Sequence, residues 1–231
     1  VVGNLLDCPS GPSGKLRFGI IPCGSGNGLA FTARIPKDPV RALNVIFNGN
    51  AAHVDGFYIN KKFACMLCGL GFDAKVAHDF AKQPKRGLMT YVRQTVKNFF
   101  NAKTYDFGID VNEKTFTVSA FFISIANSNQ FGNNFTIAPK ASLHDGLLDV
   151  VIVTAQSKIS MLLETLKQIS GNNKMVEEIK PDRKGVIYFQ TSQLVIQNKS
   201  RAPFHMDGDP AETPKSLKIQ ITEKCFLLLQ P

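Results

Sequence analysis

The stretch Pro22–Gly28 reads PCGSGNG and follows the apolar run "LRFGII" (Leu16–Ile21). Glycine reaches positive φ and carries no Cβ, so such a bend lets the main chain come close to a neighbour. The run before it reads as a buried strand, Leu16–Pro22. The residues after it, about Gly28–Ala33, read as a short helix with Asn27 as its N-cap. Asp38-Pro39 opens a second helix, which Gly49 closes. Strand, glycine turn and helix make an α/β unit. The spacing is neither the dinucleotide fingerprint nor a P-loop, because no third glycine falls in register and no Lys-Ser/Thr pair follows. Consecutive amides at such a turn still form an anion-binding concavity, to which a helix start adds partial positive charge. On these residues alone the bend is either a phosphate site, with Ser25 and Asn27 supplying short polar groups, or a tight structural turn.

The character changes near Ala51. "AAHVDGFYIN" and "KFACMLCGLG" read as two strands joined at Asn60–Lys62, and two helices follow, about Asp73–Ala81 and Leu88–Ala102. In the second, Met89, Val92, Val96 and Phe99/Phe100 fall at helical spacing. From Tyr105 onward strands dominate: "YDFGIDV", "TFTVSAFFISIANS", "LLDVVIVTA", "GVIYFQTSQLVIQN" and "SLKIQITEKCFLLLQ". A helix near Ile159–Ile169 interrupts them. The loop Asn127–Gly146, rich in Asn and Gly, is long enough to suggest function. The expected organisation is therefore residues 1–50 as part of an α/β nucleotide-type domain and 51–231 as a β-rich domain with inserted helices. The last strands are placed as returning toward the first domain.

With 231 residues, 44% of them hydrophobic, the chain can bury a real core. No run of 18 apolar residues marks a membrane-spanning helix, and residues 1–20 show no signal-peptide pattern. The net charge of +9 is uneven: Asp73–Lys103 holds Lys75, Lys82, Lys85, Arg86, Arg93, Lys97 and Lys103 against Asp73 and Asp79. That segment is either a solvated helix face or a surface that meets phosphate groups. The lone CxxC, Cys65 and Cys68, lies in a strand-like run, so its thiols are read as reduced core residues.

Two acidic turns carry candidate chemistry. In "FHMDGDP" (Phe204–Pro210) Asp207 and Asp209 flank a glycine. They are either an ordinary Asp-Gly turn or a base for a substrate hydroxyl with a second carboxylate beside it. In "ASLHDGLLDV" (Ala141–Val150) the Asp145 carboxylate and nearby carbonyls could hold a hard cation.

Together these stretches resemble the diacylglycerol kinase catalytic-domain family, which includes bacterial diacylglycerol kinase-like lipid kinases and sphingosine and ceramide kinases. The resemblance rests on "IIPCGSGNGLA", "GLGFDAKVAHDFAKQPKRGLMTY", "PKASLHDGLLDVVIV" and "HMDGDP", in that order along nearly the whole chain. It implies a partial α/β domain similar to those of NAD kinases and phosphofructokinases, then an antiparallel β-sandwich-like domain, with nucleotide between them. It implies ATP and Mg²⁺ as cofactors, transfer of the γ-phosphoryl group to a lipid hydroxyl, a cytoplasmic enzyme peripheral to an anionic membrane, and no nucleic-acid partner. By motif, Gly24, Ser25, Gly26 and Asn27 would line the nucleotide, with Lys85 and Arg86 as basic residues near it. Asp207 would be the base with Asp209 beside it, and Asp145 with the carbonyl of Leu147 would sit at a structural Mg²⁺.

The chain departs from the family pattern in three ways. The G-G-D-G-T hallmark is absent, so the chain reads as a fragment of a longer kinase, expected to be inactive alone. "DGD" stands in place of "DGE". In the sphingosine kinase branch, the base would belong to the missing hallmark and Asp207 would stand behind it. The lipid is expected to be diacylglycerol-like or sphingoid; where a carboxylate for a sphingoid amine is expected, the chain has Lys75 and Ala77, with Asp79 nearest. The apolar runs Phe121–Ile125 and Val150–Val153 are either walls of a lipid channel or core packing. The alternatives are a non-catalytic lipid- or anion-binding module of the same fold, and a kinase of a soluble substrate such as NAD.

Overall fold

The computed structural model describes residues 17–24, 26–84, 87–129, 137–154, 157–169 and 184–231. The first strand, β1, is Arg17–Phe18, shorter than the apolar run suggested. At Gly19, just past its end, an added Cβ would lie 2.6 Å from the Ile46 side chain, so the chain runs there closely enough to Ile46 to need glycine. Helix α1 (Gly28–Thr32) follows the glycine turn, and α2 (Pro39–Asn48) begins where Asp38 accepts a hydrogen bond from the Arg41 amide at 2.9 Å, with proline at the first turn.

The β-rich part begins with β2 (Asn50–Ile59). The run after it divides into β3 (Lys62–Ala64) and β4 (Leu67–Gly71), broken at Cys65–Met66. Helices α3 (Phe72–Ala81) and α4 (Leu88–Phe100) come next. They are followed by β5 (Tyr105–Val111), β6 (Lys114–Ala126), β7 (Leu148–Thr154), α5 (Lys158–Ile169), β8 (Val186–Thr191), β9 (Gln193–Asn198), β10 (Phe204–Met206), β11 (Asp209–Ala211) and β12 (Ser216–Gln230). "GVIYFQTSQLVIQN", read as one strand, is two strands that meet at Ser192.

Among the described residues the strands form one curled sheet ordered β11-β10-β4-β6-β5-β9-β12-β2-β3, with β7 and β8 branching from β6. The branch arises because β6 is 13 residues long: Lys114–Ala120 pairs with β5, while Phe122–Ala126 lies between β4 and β7. All pairings are antiparallel except β1 with β12, at Arg17↔Leu227 and Phe18↔Leu228. Strand β12 thus runs from the β-rich part back beside the α/β segment, bending at a bulge between Thr222 and Phe226.

The apolar stretch Val150–Val153 of β7 is explained by burial on both faces. Leu148, Val150 and Ile152 enter the main core, and Val151 and Val153 enter a second one under the helices. A third, smaller core joins α1 and α2 to β2 and β12 through Ala30, Ala42, Val54 and Phe226. The runs Phe121–Ile125 and Val150–Val153 are buried throughout, and Phe122 lines a cavity beneath the helices.

Helix α4 is inverted. Its stripe of Met89, Val92, Val96 and Phe100 is exposed, from 42% at Val92 to 79% at Met89, while Gln94 and Asn98 are buried. Asn98 satisfies its amide on the Gln94 carbonyl at 2.9 Å. On α5, Ile159, Leu162, Leu163 and Leu166 are likewise exposed. A buried polar face beneath an exposed apolar one is the informative departure from ordinary burial.

Candidate active site

The glycine turn is held by its own asparagine. Asn27 holds the N-cap position of α1 at φ 52°, but its side chain makes no capping bond; it clasps Gly24 instead, accepting from the Gly24 amide at 2.9 Å and donating to its carbonyl at 2.6 Å. A side chain at Gly26 would meet nothing within 4 Å, so this face of the turn is open. Ser25 lies outside the described residues, as do Lys85 and Arg86.

The second acidic motif forms the β10–β11 hairpin. Asp207 and Gly208 are its two turn residues, at φ 48° and 86°, the primed geometry that suits Asp-Gly between twisted strands. The Asp207 carboxylate faces the break between β3 and β4. Its Oδ1 accepts from the amides of Met66 at 2.9 Å and Leu67 at 3.1 Å, and Oδ2 accepts from Cys65 at 3.2 Å. In return the Asp207 amide donates to the Leu67 carbonyl at 2.8 Å. This is why "KFACMLCGLG" does not continue as one strand: three of its amides point at a side chain. Burial raises the Asp207 carboxyl pKa above the usual aspartate value, against the three amides that pull it down. Asp209 is exposed and pairs with Met206 across the hairpin.

A chain of short contacts joins the glycine turn to this hairpin. Thr32, at the end of α1, shares a hydrogen bond with Ser128 at 2.7 Å. The Ser128 amide donates to the Met66 carbonyl at 3.1 Å, and the Met66 amide binds Asp207. Beside it the Asn127 amide group donates to the carbonyls of Asp55 and Cys65, both at 2.9 Å. The Asn127 Oδ1 is buried without a partner among the described residues. A buried acceptor in that state fits a donor from bound water or a ligand.

The Asp145 turn closes the same region. Asp145 Oδ1 accepts from the Leu147 amide at 3.1 Å, and Gly146 takes φ 68°. Asp55, 2% exposed, accepts from Gly146 at 2.9 Å and from Lys224, in the β12 bulge, at 2.8 Å. Burial, and then the nearby Asp55 charge, raise the Asp145 pKa, against the Leu147 amide. Among the described residues no three His, Cys, Asp or Glu side chains converge as a metal cluster. A hard cation here would rely on Asp145, main-chain carbonyls and water, a donor set that hard cations accept.

Two family profiles cover most of the chain: the diacylglycerol kinase catalytic domain matches residues 1–59, and the YegS C-terminal NAD kinase beta sandwich-like domain matches residues 67–224. The chain belongs to the diacylglycerol kinase-like family. It is 25% identical over 215 residues to "Probable lipid kinase YegS-like" of Chromohalobacter salexigens, covering 91% of this chain and 65% of that protein. It is 26% identical over 223 residues to "Probable lipid kinase YegS" of Escherichia coli O1:K1, covering 91% of this chain and 71% of that protein. The chain thus spans about two thirds of the length of these relatives. In fold it is similar to a diacylglycerol kinase from Bacillus anthracis str. Sterne, with a TM-score of 0.65 at 15% identity over 92% of this chain and 66% of that one.

In this diacylglycerol kinase-like chain the helices also cover a cavity of about 230 Å³. Its walls come from α3 (Phe72, Asp73, Val76), α4 (Tyr91, Val92, Thr95, Val96, Phe99), α5 (Met161, Leu162, Thr165, Leu166), Phe122 of β6 and Ile137. Val92, Val96, Leu162 and Leu166 are also partly exposed, so the cavity opens where α4 and α5 present their apolar faces. Sequence reasoning missed Asp55 and Asn127, which tie the three motifs together. An acid inside a largely apolar strand was the signal for Asp55; Asn127 opens the loop expected to be functional, but nothing singled it out from the other residues there. Among the predicted site residues, Gly24 and Asn27 share one turn, Asp207 and Asp209 share one hairpin, and Asp145 and Leu147 share one loop.

Proposed function

We propose that the protein is an ATP-dependent lipid kinase, transferring the γ-phosphoryl group to the hydroxyl of a diacylglycerol-like or sphingoid lipid. The observation that carries this reading is the apolar cavity, whose wall helix α3 also packs against the β10–β11 hairpin that holds Asp207. A soluble dinucleotide would call for polar walls; this cavity is lined mainly by aliphatic and aromatic side chains, with Asp73, Thr95 and Thr165 as its polar members. Its volume is below the roughly 300 Å³ from which pockets for whole small molecules begin. It suits part of a chain, the rest lying along the exposed α4 and α5 faces.

Bound ATP with Mg²⁺ supplies the phosphoryl group. Gly24, Ser25, Gly26 and Asn27 would hold the nucleotide, with Lys85 and Arg86 as counter-charges, and Asp145 with the Leu147 carbonyl would hold the cation. Asp207 takes the proton from the lipid hydroxyl as its oxygen forms the new O–P bond and ADP departs. Asp209 lies beside it on the exposed edge.

Among the described residues no helix is long and apolar enough to cross a membrane. The inverted α4, with Arg93 and Lys97 among its exposed apolar residues, suits peripheral docking on an anionic bilayer. The experiment is a transfer assay with labelled ATP and the full-length protein. Acceptors are vesicles containing dioleoylglycerol or sphingosine, and NAD in solution. Label in a lipid is the expected result. Label only in NAD, or no transfer by a protein that binds ATP, overturns the proposal; the second outcome leaves the non-catalytic module.

A further inference from the structure

Between the cavity and the Asp207 hairpin lies a buried carboxylate–imidazole pair. Asp73 opens α3 and His205 sits on β10, with Oδ2 and Nε2 3.3 Å apart and side-chain exposures of 7% and 1%. The other Asp73 oxygen accepts from the Ala74 amide at 2.7 Å, so the carboxylate is fixed at both ends. Gly69 stands opposite His205 in the β4–β10 register. A Cβ there would lie 2.0 Å from Asp73 Oδ2 and 2.6 Å from His205 Nε2, so the absent side chain is what makes room for the pair. His78 of α3 makes a second tie to β10, at the Phe204 carbonyl, 2.7 Å away.

Each partner touches a different part of the proposed machinery. Asp73 lines the apolar cavity with its neighbours Phe72 and Val76. His205 is two residues before Asp207, on the strand that enters the turn. We propose that His205 is a positioning residue, whose hydrogen bond to Asp73 fixes α3 on β10 so that a hydroxyl-bearing lipid in the cavity is aligned with Asp207. This rests on the kinase reading above and extends it to how cavity and hairpin are joined. With Asp73 ionised, the imidazole Nε2–H is the donor. The bond spans the interface between cavity wall and hairpin, so a change in one shifts the other. Oriented groups contribute to rate only while their geometry is held closely.

The test compares His205→Leu, which fills the space without a donor, with His205→Gln, whose amide N–H can replace Nε2–H. In the full-length protein, with dioleoylglycerol vesicles and ATP, His205→Leu is expected to lower kcat by about tenfold or more with lipid KM nearly unchanged, and His205→Gln to stay within about threefold of wild type. Wild-type turnover by the Leu variant overturns the proposal, and so does a Gln variant that folds but fails as badly as Leu. Hydrogen exchange reads the coupling without activity. Oleyl alcohol added to the wild type is expected to protect amides of α3 and of Phe204–Ala211 together, and in His205→Leu those of α3 alone. Protection of α3 alone in the wild type, or of neither segment, overturns the coupling even where the kinase is active. Joint protection in a protein that phosphorylates no lipid keeps the coupling and removes the kinase reading.

Discussion

Replacing Asp207 with asparagine separates two roles that one carboxylate could fill. The turn itself should survive, because asparagine tolerates the positive φ of 48° better than other side chains. The cap should not survive whole. Asparagine keeps one acceptor, which can retain the Met66 and Leu67 amides, but its NH₂ then faces the Cys65 N–H, whose bond to Oδ2 spans 3.2 Å. One donor is left unpaired and the other two lose a charged partner. A hydrogen bond to a charged acceptor contributes about 1.5–3 kcal/mol; since water reaches this turn, the lower part of that range applies, about 1.5–2 kcal/mol. For a chain of this length that lowers Tm by roughly 3–8 °C. Scanning calorimetry gives the shift, and lipid phosphorylation measured well below Tm gives the chemistry, expected to fall more than about tenfold. An unchanged Tm refutes the capping argument. A lowered Tm with wild-type turnover keeps the cap and removes Asp207 from proton transfer.

Burial raises the carboxyl pKa of Asp145, Asp149 and Asp207, so the native state holds these protons more tightly than the unfolded chain does. Their contribution to stability therefore falls as pH rises from about 4, the unfolded value, through the raised native values; urea midpoints that climb across that window contradict it. Gly69→Ala forces apart the Asp73–His205 pair and is expected to destabilise by about 1–3 kcal/mol, read from the same midpoints, with no change meaning that the pair has room to move. Asp55→Ala removes the acceptor of the Gly146 and Lys224 amides and is expected to lower stability by about 3 kcal/mol or more; a midpoint near wild type contradicts that anchoring role. Phe100→Glu with Ile159→Glu changes side chains 68% and 70% exposed, so Tm should stay nearly constant while flotation with anionic vesicles weakens; undiminished flotation places the membrane contact elsewhere.

The parts of the fold legible in the sequence were those fixed by local chemistry. Asp38-Pro39 announced α2, the Asp207-Gly208 pair announced a turn, and the apolar stretch around Val150–Val153 announced a strand. What was not legible depends on which partner each polar side chain finds, near or far along the chain. Asn27 is the helix cap by position, yet its side chain turns back to Gly24, three residues away, a choice that spacing alone does not reveal. The β3–β4 break at Cys65–Met66 has no local cause, since its amides are turned outward by an aspartate more than 140 positions later. Helical spacing marked the apolar stripe of α4 correctly but carries no information about which side meets the sheet. Asn98 tolerates the buried side because its amide donates to the Gln94 main-chain carbonyl one turn back, whereas the buried Gln94 Oε1 has no partner among the described residues.

The capping geometry also bears on whether Asp207 can act as a base at all. A carboxylate offers about four lone-pair positions. Three are directed at the Cys65, Met66 and Leu67 amides, and the Cys65 thiol lies 3.8 Å from Oδ2, at the outer limit for a sulfur donor. That leaves one position on Oδ2, and only the thiol competes for it. The thiol stays protonated, since burial and then the Asp207 charge hold its pKa well above the usual value, so it is a weak donor and not a second anion. A substrate hydroxyl is the stronger donor of the two and would displace it. The amides that hold Asp207 still therefore do not use it up; they fix the direction from which the remaining lone pair can be approached.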